Sequence, residues 1–392
     1  MNKPINKFYL FITLFVIIFV CLFRVELYKY AYNLNLIHET EANLLILSDD
    51  NDTSTTITPI LDNLINKNKN IIYCSSFQTG WNDLTNNVIR ETIEIESPPC
   101  YFNKINELTK QPALISEDAY LTLSGVVNSQ TNGFIKAALK NKFPNIHTNN
   151  DLLFEYNTMQ NSLFIFSVLF KNLSFVNEFT KIEKFKFNCI DKKISYVEAF
   201  GIENNDTNFN ILDKQIEIFY ENNENKNLNN NQVNKYQFVI KLKTKSESDE
   251  VIISNFEPES SVEKTYNKIN KCINNSNNRK KLSSYSSVII PKIDFDIIYN
   301  YNAINNKKIL NVKYKDYAIV SAKQKIRFNL NEKGVYLFSN FMTIFDMAGP
   351  KPINFLINEP FFIYLKTKFA SYPYFMAYIA NDELLKKVNH KY

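Results

Sequence analysis

Short stretches of alternating apolar and polar residues dominate this chain, and they predict more strand than helix. The run YQFVIKLK at 236–243 is the plainest strand. Residues 315–330 read the same way, alternating at Ile326, Phe328 and Leu330, and so do FKFNCI and QIEIFY between 184 and 219. Helical spacing appears in three places. Val262, Tyr266, Ile269 and Ile273 follow at intervals of four, three and four within 258–273. Trp81, Leu84, Val88 and Ile89 share one side of 79–89, and 58–66 also carries apolar residues at helical spacing. Polar runs at 221–234 (ENNENKNLNNNQVN), 245–250 and 274–281 have little apolar surface to bury and are predicted to be loops or turns.

Two stretches stand apart. Residues 8–23, FYLFITLFVIIFVCLF, carry no charge; Lys3 and Lys7 precede them and Arg24 and Glu26 close the run. The run has no polar face, which argues for a secretory signal or signal-anchor helix over a helix of a globular core. At about 1.5 Å per residue it spans ~24 Å against a hydrocarbon core of ~30 Å, with Leu27 and the aromatic flanks to extend it. No small-x-small cleavage site follows. Residues 1–27 therefore read as a membrane anchor and 28–392 as the domain, outside the cytoplasm because both lysines precede the run, and secreted if the run is cleaved. The second stretch is 331–365, NEKGVYLFSNFMTIFDMAGPKPINFLINEPFFIYL. β-branched and aromatic residues crowd both ends and Gly349-Pro350-Lys351-Pro352 breaks the middle, which predicts extended pieces on either side. Residues 353–357 and 360–365 read as two short strands meeting at Asn358-Glu359, with Pro360 kept off a central ladder.

FLINEPFFIYL resembles the C-terminal signature of the serpin family, apart from Glu359, where the family usually has a basic or small polar residue. Asn331-Glu332-Lys333-Gly334-Val335 resembles the serpin hinge, where the exposed reactive loop leaves the sheet. Further matches follow in chain order. NIIYCS at 70–75 is similar to the strand leading into the helix under the sheet, and NSQTNGFI at 128–135 to an "asparagine, then TxGxI" segment. SLFIFSVLFKNLSFVNEF at 162–179 resembles the central strand, with Asn172 and Phe175 where the family has Gly and Trp. VIIPKIDFDIIYNY at 288–301 is similar to the "LPK" strand and its continuation, and YFMAYIAN at 374–381 to the closing segment.

The resemblance implies an α+β fold: a large mixed sheet with packed helices and a second small sheet. It makes 163–170, 287–293 and 326–330 strands of one sheet, and the shortness of the chain between Cys74 and Asn128 implies the loss of a helix or strand there. It makes Glu332, Gly334 and Val335 the reactive-loop hinge and puts a scissile bond near Ala348-Gly349, facing a serine protease of elastase-like or subtilisin-like preference. In the family the cleaved loop enters the main sheet as a new strand and drags the acyl-enzyme with it.

The residues after the hinge depart from that use. Sliding between two strands needs small side chains, whereas Tyr336, Leu337, Phe338, Asn340 and Phe341 follow Val335. Leaving Tyr336, Leu337, Phe338 and Phe341 in solvent with Met342, Ile344 and Phe345 would forfeit on the order of 10 kcal/mol, at ~1.5–3 kcal/mol per large apolar side chain. Most of 335–345 is therefore expected to be a strand already, paired on at least one side, with the chain turning at Gly349-Pro350.

Composition narrows the function classes. A chain of 392 residues, 45% apolar and 14% aromatic, has ample material for a core. A formal charge of +5 with 22% charged residues of both signs gives no electrostatic case for nucleic acid. His38, His147 and His390 stand alone, without an HExxH, GxSxG, P-loop or dinucleotide fingerprint, so no catalytic residue, metal or cofactor is expected. Asp50, Asp52 and Ser54 alternate as calcium ligands do, but the required Gly and closing Glu are missing and the stretch reads as a solvated acidic loop. Cys74, Cys100, Cys189 and Cys272 either pair in an oxidising compartment or remain free thiols, the reading a core of this size favours. Three classes stand: a membrane-tethered, non-inhibitory binding or structural protein, a serine protease inhibitor, and, on the least support, an enzyme.

Overall fold

The longest alternating run becomes the longest strand, β15 (Ala318–Asn331), and the largest sheet is built around it. The computed structural model describes residues 44–50, 53–110, 114–115, 117–143, 161–203, 206–222, 237–275, 282, 286–336 and 354–388. The apolar run at 8–23, the three histidines, residues 337–353 and so Ala348 and Gly349 lie outside them.

On one side of β15 runs β13 (Ile293–Asn300), antiparallel, and then β1 (Leu44–Ser48), parallel to β13; β14 (Lys307–Lys308) pairs the first residues of β15. The other side is shared. β5 (Ser162–Leu169) runs parallel to residues 318–324, while β16 (Gly334–Tyr336) folds back antiparallel on residues 329–331. Beyond them β4 (Tyr120–Val126) pairs β5 and β6 (Asn172–Ser174) pairs β16. β5 and β6 are successive pieces of one stretch of chain. It parts from β15 above the Gln324–Ser167 pair, and β16 fills the widened end.

A seven-stranded sheet runs β2 (Thr55–Thr58), β3 (Asn70–Cys74), β19 (Phe375–Ile379), β18 (Phe361–Thr367), β11 (Asp249–Ser254), β10 (Gln237–Leu242), β9 (Ile216–Asn222). A four-stranded sheet runs β17 (Asn354–Leu356), β12 (Ser287–Pro291), β8 (Ile194–Ile202), β7 (Thr180–Asn188). The helices are α1 (Ser76–Asp83), extended by a wider turn at Leu84–Ile89, α2 (Phe102–Leu108), α3 (Thr131–Lys142), the single turn α4 (Phe209–Leu212) and α5 (Val262–Asn274). The class is the α+β fold expected, with helices on a large mixed sheet, and the other two sheets have seven and four strands.

The helices follow their apolar stripes. Phe77 and Trp81 of α1 and Leu84 of the wider turn are buried and join Leu163 and Ile165 of β5 in the main core. Phe164 and Phe166, on the opposite face of β5, pack with Ile135 and Leu139 of α3, so β5 is covered on both faces and reads as a continuous apolar run. Val262, Tyr266 and Ile269 of α5 are buried with Val239, Ile252 and Tyr364. Ser261 caps that helix, its hydroxyl accepting from the Lys264 N–H at 3.3 Å.

Two expectations are corrected. Residues 287–291 do not join 163–170 and 326–330 in one sheet: Pro291 ends β12 in the four-stranded sheet, and β13 begins at Ile293 in the large one. Both strands are largely buried, so the apolar pattern is alike on either side of the crossing at Lys292. Residues 353–357 and 360–365 do form two strands, β17 and β18, and these enter different sheets. The stretch 58–66 is a turn and not a helix, because Pro59 restricts the backbone and the Thr58 hydroxyl donates to the Ile60 carbonyl at 2.7 Å. Its backbone instead meets the start of α5, with the Ile65 N–H donating to the Ser260 carbonyl at 3.1 Å.

Cys74, Cys100, Cys189 and Cys272 are free thiols, Cys74 and Cys189 buried. Asp49 and Asp50 serve the turn after β13. Asp49 accepts from the Tyr299 hydroxyl and, at 2.9 Å, from the Ala303 N–H, and Asp50 accepts from the Asn302 side chain at 2.6 Å.

The buried carboxylate of Asp382 ties the chain's end to β8, accepting from the Ser195 hydroxyl at 2.8 Å and Lys193 Nζ at 3.0 Å, with Lys387 Nζ at 3.3 Å. Burial alone would raise its pKa, but the Ser195 hydroxyl and the Lys193 and Lys387 ammonium groups hold it below the ordinary value. Its contribution to stability is therefore present above pH about 4 and is lost as pH falls through the lower folded value. Asp382→Asn is expected to flatten the acid limb of a urea-midpoint-against-pH curve below pH about 4; an unaltered acid limb would refute this.

Candidate functional site

Glu332, Gly334 and Val335 come together at the widened end of the large sheet, where β15 turns into β16. The turn is held locally. The Asn331 side chain donates to Asn329 Oδ1 at 2.7 Å and accepts from the Lys333 N–H at 2.9 Å. It is also held from across the sheet, since the Glu332 and Lys333 carbonyls accept from the Phe179 and Phe175 N–H groups at 2.8 and 2.7 Å. Phe175, Phe179 and Phe200 pack their rings together behind it, at centroid distances of 4.9, 5.8 and 6.0 Å.

Gly334 is required by close approach. At φ +157 a Cβ would lie 2.5 Å from the Leu173 carbonyl oxygen and 2.8 Å from Ser174 Cα, so only glycine lets β16 enter between β15 and β6. Val335 follows with its side chain 0% exposed, in the core with Leu330 and Leu173, its two partners in register. Gly334→Ala is expected to cost about 1–3 kcal/mol by forcing backbone apart at a strained position. It should also open a new cut at 334–336 in limited proteolysis; wild-type stability and cutting pattern would show that the close approach is dispensable.

The electrostatics of the turn centre on Lys292, which lies at the crossing between sheets. Glu332 and Lys292 are 3% and 4% exposed, and Glu332 Oε2 is 2.6 Å from Lys292 Nζ. Lys292 also reaches Glu198 of β8 at 3.3 Å, and Lys386 reaches the other Glu198 oxygen at 3.5 Å. Backbone bonds accompany the charges: the Lys292 N–H donates to the Glu198 carbonyl at 2.8 Å, and the Lys386 N–H to the Lys292 carbonyl at 2.9 Å. Alternating charges thus join the end of β15, the β12–β13 crossing, β8 and the chain's C-terminal segment. Beside them burial lowers the Lys333 pKa, opposed by Glu178 and Glu332, and burial raises that of Glu178, opposed by Lys333.

Sequence reasoning singled out Glu332, Gly334 and Val335, which share this turn, but missed Lys292 and Glu198 beside them. The available signal was Lys292 itself, a cation inside the apolar run VIIPKI. Beyond Val335, Tyr336 is paired on both sides through its backbone, and 337–345 lie outside the described residues. A strand filling the whole length between β5 and β15 is not what the sheet holds. The two are direct neighbours from Ala318 to Gln324, where β5 already satisfies the ladder bonds on that side of β15. Among the described residues no group of three or more His, Cys, Asp or Glu is placed to hold a metal ion, and no helix is long and apolar enough to cross a membrane. The arrangement is mechanical: a turn clamped by buried charge at the mouth of a sheet.

No protein-family model matches the chain, and no curated protein matches it. Solved structures resemble it. Serpin48, a highly specific serpin of the insect Tenebrio molitor, aligns at TM-score 0.46 and 12% identity over 80% of this chain and 92% of its own. Thyroxine-binding globulin in complex with thyroxine aligns at TM-score 0.46 and 11% identity over 80% and 93%. Tengpin, a thermophilic serpin in its native state, aligns at TM-score 0.49 and 11% identity over 87% and 97%. The likeness is one of fold alone.

Proposed function

We propose that this chain is a non-inhibitory protein of serpin-like fold, a binding or structural protein held outside the cytoplasm by residues 8–23. The observation that carries this reading is the seating of Val335, fixed in the core between Leu330 and Leu173 and followed in sequence by bulky residues. A strand that must run down between β15 and β5 would have to separate the pairs from Gln324 to Ala318 and pass Leu337, Phe338 and Phe341 through the gap. Each such side chain needs a place in cores packed near crystal density.

One observation favours a second reading, a serine protease inhibitor cut near Ala348-Gly349. β5 and β15 are parallel neighbours over residues 318–324, and parting them, as the family's inserted strand does, would make room for a further strand. Incubation with elastase-type and subtilisin-type proteases separates the two. The first reading expects plain cleavage or no reaction; a protease complex that survives a denaturing gel would establish the second. The tether is tested apart from this: full-length protein is expected in the carbonate-resistant membrane fraction and a chain lacking residues 1–27 in the soluble one, and the same soluble distribution for both would remove the anchor.

A further inference from the structure

The hairpin of β7 and β8 turns one face to the core and the other to solvent. Directly opposite residues share a side of a sheet, and neighbours along a strand alternate. Phe185 pairs Val197 and Phe187 pairs Ser195 on the inner face, where Phe187 and Val197 are buried. Lys186 pairs Tyr196 and Asn188 pairs Ile194 on the outer face, and Tyr196 and Ile194 are 49% and 51% exposed. Lys184 joins them, its Nζ 4.4 Å from the centre of the Tyr196 ring. The C-terminal segment extends this face beyond β8: the Glu198 N–H donates to the Lys386 carbonyl at 2.9 Å and the Val388 N–H to the Tyr196 carbonyl at 3.4 Å.

The free charge of this face is positive. Lys184 and Lys186 are exposed, and among the described residues neither has an ion-pair partner. The nearby acids are already engaged. Glu198 lies between Lys292 at 3.3 Å and Lys386 at 3.5 Å, and Asp382 between Lys193 at 3.0 Å and Lys387 at 3.3 Å. Glu183, in the irregular stretch of β7, is 3.9 Å from Lys181, and Asp191 at the hairpin's tip accepts from the Lys193 N–H at 2.9 Å. Free cations therefore flank a half-exposed tyrosine and isoleucine on an open strand surface.

β1 runs beside β13 from Leu44, opposite Asp296, to Ser48, opposite Asn300, so the chain enters it from the end of the large sheet where β13 begins. That end carries Lys292 and, through it, Glu198 and the C-terminal segment. We infer that the outer face of β7 and β8 docks on the anionic surface of a lipid bilayer, with Lys184, Lys186 and Lys386 against the headgroups and Tyr196 and Ile194 in the interfacial layer. Each lysine near an anionic surface favours binding about fivefold, and a tyrosine suits a layer that is apolar at one end and wet at the other. A polyanion in solution would engage the lysines and leave the two apolar side chains in water. The choice of a bilayer rests on the reading of residues 8–23 as an anchor. That run spans ~24 Å against a hydrocarbon core of ~30 Å, and a docked face adds a second hold.

The test places the full chain with nanodiscs of phosphatidylcholine, alone or mixed with phosphatidylglycerol, and reads the acetylation of individual lysines by mass spectrometry. Lys184 and Lys186 are expected to react about tenfold more slowly on anionic than on neutral discs, and alike on both in high salt, which screens exposed charges. Lys315, exposed beside the start of β15, should react alike on both throughout. Ile194→Ser/Tyr196→Ser keeps every charge and replaces only half-exposed side chains, so it should lose most of the protection while its urea midpoint stays close to wild type. Co-elution with neutral discs reports the anchor separately. A chain that binds anionic discs alone, with Lys184 and Lys186 protected, would remove the anchor and keep the face. Binding to both kinds of disc with equal acetylation of these lysines, binding to neither, or protection by soluble dextran sulfate without protection by anionic discs would each overturn the face.

Discussion

Glu332→Ala is expected to lower the unfolding free energy by about 3 kcal/mol, the lower part of the cost of breaking a buried ion pair by removing one partner. The loss falls there because Lys292, 4% exposed, keeps Glu198 at 3.3 Å when its 2.6 Å partner is gone. The double variant Lys292→Met/Glu332→Leu is expected to recover most of the loss, since apolar groups of similar volume leave no uncompensated charge from that pair. Urea unfolding of the three proteins decides it. A single-variant loss under about 0.5 kcal/mol, the scale of an exposed pair, would mean that the turn is not clamped by charge.

Gly201→Ala should cost more. A Cβ at Gly201, where φ is +156, would sit 1.7 Å from the Val288 carbonyl oxygen and 2.8 Å from its carbon. Both contacts are backbone, so no side chain can move aside; β8 and β12 must part, and Lys292, one residue beyond β12, moves with them. The expected loss exceeds about 4 kcal/mol, a large part of the ~5–15 kcal/mol that holds a typical domain together. The measurement is the yield of soluble, cooperatively unfolding protein, and a wild-type melt would show that the two strands are not in this register.

What was legible in the sequence follows from what determines each feature. β10, β15, α1 and α5 are local in origin: periodic apolar positions set them, and the observed bounds fall within a few residues of the patterns. Sheet membership was not legible at 287–300, because largely buried strands on both sides of Lys292 carry the same apolar code whichever sheet they enter. The turn at 58–66 shows a periodic pattern losing to Pro59 and to backbone bonds made by α5, about 200 residues further on. At the site, Gly334 and Val335 could be placed from their local motif, whereas the pairing of Glu332 with Lys292 spans 40 positions and only the folded chain reveals it.

On the proposed reading, the segment after Val335 does not complete the large sheet. Its most direct test is to cut the chain within 337–353 with elastase or subtilisin, leave the two fragments associated, and compare thermal unfolding of cut and uncut protein. Without insertion the cut removes only connectivity, and the melting temperature is expected to stay the same or fall by a few degrees. Insertion would bury several large apolar side chains at ~1.5–3 kcal/mol each, and for a domain of this size each kcal/mol raises the melting temperature by about 2 °C or more. A rise of more than about 10 °C on cleavage would contradict the account and make the chain a protein that stores sheet-completion energy.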